Sequence, residues 1–285
     1  MQEANHYNID NKDKLKEIGL DTRNYKKVCK GVKQMNEYIN LTLENIDNEH
    51  ICCAIGDPKH QAGVDKKKEW IKSKLKEGHV FRKLNARGKN FIEYEPIETA
   101  WVPINGKGYE YIYCLWVAGS FKNKGIAKEL LEYAINDTKK KKMKGICTLV
   151  SKKKKPFIGD KKFFEHFNFK VVDTIKDYEL MALSFEPSET PQFSDSARKM
   201  RIENKEFTIY YSNECPYVEY EVQELTNYAK TKNIIINFIK IDTLEIAKDA
   251  PCIFNNWANF YNGEFISNTI LNANSLEKLL KYQNK

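Results

Sequence analysis

The chain has 285 residues, a net charge of +8 at pH 7, 41% hydrophobic residues and a mean hydropathy of −0.64. That suits one large or two ordinary globular domains with enough apolar material for a core. No apolar run approaches the ~20 residues that span a bilayer, and no signal-peptide pattern opens the chain, so no membrane partner is expected and the cytoplasm is the expected setting.

Seven cysteines are too few and too scattered for a disulfide scaffold, and reduced thiols are expected. The charge is uneven. Residues 205–285 carry eight Lys/Arg and ten Asp/Glu, a net −2, which leaves +10 for residues 1–204. The two tetralysine runs, 139–142 and 152–155, have no base-stacking aromatics interleaved. They read as solvated faces, and nucleic acid is not expected as a partner.

Residues 1–36 are polar and Asn/Lys-rich, with weak helical signals near 12–18 and 25–35. Alternation over 37–43 predicts a first strand. Asp47 is placed to cap a helix holding Ile51, Cys52 and Ile55, which Gly56-Asp57-Pro58 would stop. A second helix is expected from Asp65 through Trp70, Ile71 and Leu75, with Gly78 past its end. Strands follow over 79–84, 90–95, 99–104 and 109–117.

The stretch 109–138 carries the clearest signal. A run of β-branched and aromatic residues from Tyr111 to Val117 reads as a central strand. Ile126, Leu130, Leu131, Ala134 and Ile135 then recur at helical spacing. Between them, Gly125 and Ala127 allow close approach to a helix N-terminus, whose unpaired N–H groups and dipole favour a pyrophosphate. Lys122 and Lys124 add positive charge there. A buried strand over 145–150, a helix from Asp160 and a hairpin over 170–185 follow.

Residues 186–196, EPSETPQFSDS, have no apolar period and read as a linker. Beyond it, strands are expected over 207–211 and 234–241, with a helix over 217–230 between them. An Asn262-Gly263 hairpin and a final helix from Ser275 end the chain.

This order of elements resembles the GCN5-related N-acetyltransferase (GNAT) family. The loop Lys122-Asn123-Lys124-Gly125-Ile126-Ala127 is similar to its Arg/Gln-x-x-Gly-x-Gly/Ala motif, with Lys in first place. Phe163-Phe164-Glu165-His166-Phe167-Asn168-Phe169 resembles its FYEKLGF segment. Trp101-Val102-Pro103-Ile104, Cys114-Leu115-Trp116-Val117, Lys154-Lys155-Pro156-Phe157 and the tail together resemble the YoaP-type acetyltransferases.

The tail is similar to glutaredoxin and thioredoxin folds. Cys215-Pro216-Tyr217-Val218 stands at the position of a Cys-Pro-Tyr-Cys motif and Ala250-Pro251 at that of the cis-proline. Val218 holds the second cysteine's place, which rules out a two-thiol cycle within the motif. The resemblance implies an α/β (α+β) fold, a GNAT mixed sheet flanked by helices and followed by a smaller thioredoxin-like domain. The divisions are an extension over 1–36, a GNAT domain over 37–186, a linker over 187–204 and the thioredoxin-like domain over 205–285.

The implied reaction is acetyl transfer from acetyl-CoA to a small-molecule amine. Leu115, Trp116, Val117 and Ala118 would hold the pantetheine arm, and the amides of Asn123 to Ala127 the pyrophosphate. Acid and base are less determined. The family's tyrosine acid falls on Phe164, which has no proton to give, and a strand carboxylate used by some relatives falls on Tyr111.

Glu93 and Glu95 share a strand face that either lines the acceptor cleft or faces water. Tyr111 and Tyr113 share a face and offer hydroxyls to a leaving thiolate; His166 is either catalytic or an exposed helix residue. His50, Cys52, Cys53 and His60 do not complete a zinc pattern, so no metal is expected. Cys215 and Cys252 are either small buried hydrophobes or a thiol pair. The alternatives to an acetyltransferase are a thiol-redox or metal-thiol protein and a non-catalytic CoA-binding sensor.

Overall fold

The computed structural model describes residues 36–51 and 54–283. The helices expected near 12–18 and 25–35, and Cys52 and Cys53, lie outside them. Strands β1 (Tyr38–Asn40), β2 (Val80–Leu84), β3 (Asn90–Pro96), β5 (Tyr109–Val117), β6 (Gly145–Ser151), β7 (Lys170–Ile175) and β8 (Tyr178–Ser184) form one sheet. Its order is β1-β2-β3-β5-β6-β8-β7. Only β5 and β6 pair in parallel; the other pairs are antiparallel.

Helix α1 (Gln61–Leu75) lies on one face, entered through a 3-10 turn at Pro58–His60. It starts four residues before the expected Asp65, because Pro58 pre-sets the turn that leads into it. Helix α2 (Ile126–Lys140) covers the other face with Ile126, Leu130, Leu131 and Ala134 against Ile92, Tyr94, Ile112 and Ile146. The short helix α3 (Lys161–His166) is capped by Asp160, which accepts from Phe163 N. It sets Phe164 into the same layer.

Two expected elements are replaced. Of the helix expected from Asp47 through Ile55, the described residues 47–51 and 54–56 form turns, a bend and irregular chain, and the turn that precedes it already begins at residue 43. There Asn45 accepts from Thr42 N at 2.9 Å and donates to Asn40 O at 2.9 Å, a side chain competing with helical backbone bonding. The strand expected over 99–104 shrinks to β4 (Ile104–Asn105), since Thr99 and Ala100 fold back onto the Pro96 carbonyl.

The stretch expected to be a linker is ordered. It contains β9 (Gln192–Phe193), paired with β4, and the helical turn α4 (Asp195–Arg198), and it buries Phe193, Ala197 and Met200. A polar, Pro-rich composition concealed four apolar anchors, because Met200, Ala197, Phe193 and Pro191 follow no single period.

The tail builds a second sheet from β10 (Phe207–Tyr211), β11 (Ile236–Lys240), β12 (Trp257–Tyr261) and β13 (Glu264–Ser267), in the order β11-β10-β12-β13. β10 and β11 are parallel, joined by helix α5 (Tyr217–Lys232); the other pairs are antiparallel. Asn262 and Gly263, at φ 52° and 80°, make the hairpin turn between β12 and β13. Helices α6 (Leu244–Lys248) and α7 (Ala273–Gln283) complete the tail. The Ala250–Pro251 bond, expected to be cis, is trans.

The two sheets share one core. Tyr111, Cys147, Tyr178, Leu180 and Ala182 of the large sheet pack in one cluster with Ala250, Cys252, Ile253, Phe254, Ala258 and Phe260 of the tail. Polar bonds reinforce the contact. Lys248 Nζ donates to the carbonyls of Ile97 and Ile104, Tyr111 OH to Asn255 Oδ1 at 2.9 Å, and Tyr178 OH to Asn268 Oδ1. Residues 38–285 therefore form a single compact unit.

Candidate active site

The parallel pairing of β5 with β6 stops at Ile112 and Thr148, so residues 113–117 present an edge that β6 does not cover. The strands part there into a cleft of about 730 Å³. Its walls are Tyr113 to Val117, Thr148, the 157–160 loop and the N-terminus of α2. The tail closes it with Glu214, Cys215, Pro216, Tyr217, Asn255 and Asn256. Phe157, left-handed at φ 60°, places its ring 6.5 Å from that of Tyr217 across the cleft.

At the open end the loop before α2 has Asn123 at φ 61° and Gly125 at φ 83°. Left-handed residues of this kind shape backbone nests that bind anions, and Gly125 is the N-cap residue of the helix. Lys89, Lys122 and Lys128 line this end with positive charge. Lys124 does not; its ammonium stands 5.8 Å over the Phe121 ring.

The inner end is built from buried charge. Lys67 Nζ donates to Glu93 Oε2 at 2.7 Å. His79 bridges two carboxylates, with Nε2 3.2 Å from Glu93 Oε1 and Nδ1 3.3 Å from Glu95 Oε2. Tyr113 OH donates to Glu95 Oε1 and accepts from Trp101 N at 2.7 Å. Lys74 Nζ lies 3.5 Å from Glu95. Burial opposes the charge on Glu93, but Lys67 and His79 outweigh it and hold the carboxyl below the usual range. Burial likewise opposes the His79 cation, and the two carboxylates overcome it and raise its pKa.

Local sequence explains the arrangement. The register of β3 on β5 skips Tyr113 between Cys114 and Ile112. That bulge turns the Tyr113 ring towards Tyr111, 5.2 Å away, and onto Glu95. On α1 the buried face runs Gly63, Lys67, Trp70, Ile71 and Lys74, so two lysines point inward.

A sequence model of the Acetyltransferase (GNAT) family matches residues 45–169, and a YoaP-like model matches residues 236–278. The Uncharacterized N-acetyltransferase YoaP of Bacillus subtilis (strain 168) is 39% identical over 245 residues, 85% of this chain and 98% of its own. The chain belongs to the GNAT acetyltransferase family. It is an acyltransferase, with acetyl-CoA as co-substrate.

Two solved structures are similar at lower identity. A GNAT acetyltransferase from Brucella melitensis in complex with acetyl-CoA is 15% identical, covering 56% of this chain and 94% of its own, with a TM-score of 0.36. The PaiA N-acetyltransferase from Thermoplasma acidophilum in complex with coenzyme A is 17% identical, covering 53% and 100%, with a TM-score of 0.36.

Of the residues expected to hold acetyl-CoA, Leu115, Trp116, Val117, Lys122, Asn123, Gly125, Ile126 and Ala127 line the cleft of this GNAT enzyme; Ala118 and Lys124 do not. Glu93 and Tyr113 line it too, and Glu95 stands behind Tyr113. Two candidate catalytic residues stand outside the cleft. Tyr111 is sealed from the cleft by its bond to Asn255, and His166 is an exposed residue of α3 against Phe167. The alternation of a strand and the surface of a helix give direction but not neighbours.

His60 packs edge-on against Tyr217 and Tyr220, and among the described residues no group of three His, Cys, Asp or Glu is arranged to hold a metal. Sequence reasoning missed Lys67, His79, Glu214, Asn255 and Asn256. For Lys67 a signal existed: a charged residue in register with Trp70, Ile71 and Lys74 on the core face of a helix. For Asn255 and Asn256 none did.

Proposed function

We propose that this enzyme transfers the acetyl group of acetyl-CoA directly to the primary amine of a small molecule, in a ternary complex. The observation that carries this reading is the cleft itself, with an anion-binding basic loop at one end and a closed, charged and aromatic chamber at the other. The amides of Asn123 to Ala127 would bind the pyrophosphate, with Lys122 and Lys128 beside it. The uncovered edge at 113–117 would take the pantetheine arm as a strand takes a neighbour, which brings the thioester towards Tyr113.

The chamber favours a small acceptor, because the tail walls it off with Glu214 to Tyr217 and Asn255. Buried Glu93 lines the chamber as an ionised group already paired with Lys67 and His79. Its lowered pKa makes it a poor base and a good electrostatic partner. Tyr113 lines the chamber, and burial and Glu95 push its hydroxyl well up, which keeps it a neutral group donating to Glu95. The proposed setting is the cytoplasm.

A thiol-redox function has no comparable support. Cys252 is fully buried with its thiol pushed well up by burial, and no disulfide joins it to Cys215. Calorimetric titration with acetyl-CoA tests the cofactor end, where a dissociation constant well below millimolar is expected. Release of CoA thiol across an amine panel tests the transfer; binding without release for any amine would leave a sensor instead.

A further inference from the structure

Glu214 stands where the tail meets the inner end of the cleft, two residues before Pro216 and the start of α5. The residue is 4% exposed and lines the cleft, and its Oε2 has no hydrogen-bond partner. A buried acceptor left unpaired is costly, and this one belongs to a residue that lines the cleft. The charged and titratable groups facing it are Glu93 and Glu95 from β3, Lys67 from α1, and Tyr111 and Tyr113 from β5. Lys67 is committed to Glu93.

The position of Glu214 is fixed by close packing. A Cβ on Gly63 of α1 would lie 1.9 Å from the Pro216 carbonyl oxygen, so the glycine is what allows the turn to seat against the helix. Lys66 pairs with Glu219 at 2.6 Å across the same contact. Two carboxyls thus share one cleft with their proton affinities shifted in opposite directions. Glu93 is held ionised, whereas burial, joined by the charge of Glu93 and opposed by Lys67, pushes Glu214 well above the usual carboxylate range. Such a divergence separates an electrostatic anchor from a base matched to an amine.

We propose that Glu214, supplied by the tail, binds the primary ammonium of the acceptor and takes its proton before acetyl transfer. The proposal rests on the acetyl-transfer reading above. The ammonium gives one proton to the Glu214 carboxylate, and the freed lone pair forms the C–N bond at the acetyl carbonyl. As the tetrahedral centre collapses, the C–S bond breaks and the thiolate leaves with the electron pair. The second N–H proton, released as the amide forms, goes to that sulfur. Glu214 returns its proton to water when the products leave.

The test uses the full chain with acetyl-CoA and three primary-amine probes: n-butylamine, 1,5-diaminopentane and lysine. Thiol release with at least one probe is expected. Glu214→Gln should lower kcat/KM for that probe at least a hundredfold and abolish the acid limb of its pH profile, which in the unsubstituted enzyme lies above the ordinary carboxylate range. Calorimetric affinity for acetyl-CoA should stay within twofold, and Glu214→Asp should restore part of the rate together with the limb. A Glu214→Gln enzyme within threefold of the parent, with the same profile, overturns the proposal. So does an enzyme that binds acetyl-CoA yet transfers to none of the probes. Failure to bind acetyl-CoA would instead overturn the acetyl-transfer reading itself.

Discussion

The two ends of the cleft are built on opposite principles. The outer end is backbone and solvent: a loop with two left-handed residues, a helix N-terminus and exposed lysines. The inner end is side chains and burial: Lys67, His79, Glu93, Glu95, Tyr113 and Glu214 are all under a tenth exposed. A backbone site tolerates most changes of side chain, while a buried charge network depends on each partner. Substitutions should therefore have sharply unequal effects at the two ends.

The largest effect is expected from Lys67→Met, which leaves Glu93 buried without its ammonium. Breaking a buried pair from one side costs about 3–5 kcal/mol, read as a lower midpoint in urea unfolding. The pH dependence sharpens this. Because the folded carboxyl of Glu93 lies below its unfolded value, its contribution is full above the unfolded carboxylate range and fades as pH falls through the folded value. Without Lys67 that acid-side loss should shrink. A variant as stable as the parent at neutral pH would mean that the inner network is slack.

Next comes Gly63→Ala, which has ordinary helix propensity in its favour but drives a methyl group into the Pro216 carbonyl. Overpacking of this kind costs about 1–3 kcal/mol, and displacement of the Glu214 turn should raise the acceptor KM while acetyl-CoA affinity is kept. Parallel loss of both affinities would erase the distinction between the ends. At the outer end, Gly125→Val forces a β-branched residue into the left-handed region. The free loop relaxes away from the strained turn, so the strain, about 1–2 kcal/mol, is met on binding and reads as roughly tenfold weaker acetyl-CoA affinity by calorimetry with the thermal midpoint little changed. The smallest effect belongs to His166→Ala, with stability within about 0.5 kcal/mol of the parent and unchanged kcat/KM.

The difference between the ends also decided what could be read from the chain. The outer loop was legible because its chemistry is local: Gly125, the strand before it and the periodic Ile126, Leu130 and Leu131 after it lie within one short stretch. The Asn262-Gly263 hairpin was legible for the same reason. The inner end joins Lys67 of α1, Glu93 of β3, Tyr113 of β5 and Glu214 of the tail, which no spacing rule connects. Strand alternation puts Glu93 and Glu95 on one face but leaves open whether it meets a cleft or water, and it gives no sign of His79 between the carboxylates. Tyr111 and Tyr113 looked equivalent until the bulge in β5 separated their roles.

The shared core has a consequence for biosynthesis. The face of the large sheet that carries Tyr111, Cys147 and Leu180 is finished when β8 leaves the ribosome, but the residues that cover it, Cys252 to Phe260, come much later in the chain. At roughly 5–20 residues per second, that apolar face waits several seconds for its partner. A nascent chain halted after Ser184 would thus be a target for holding chaperones, and release would coincide with the emergence of β12.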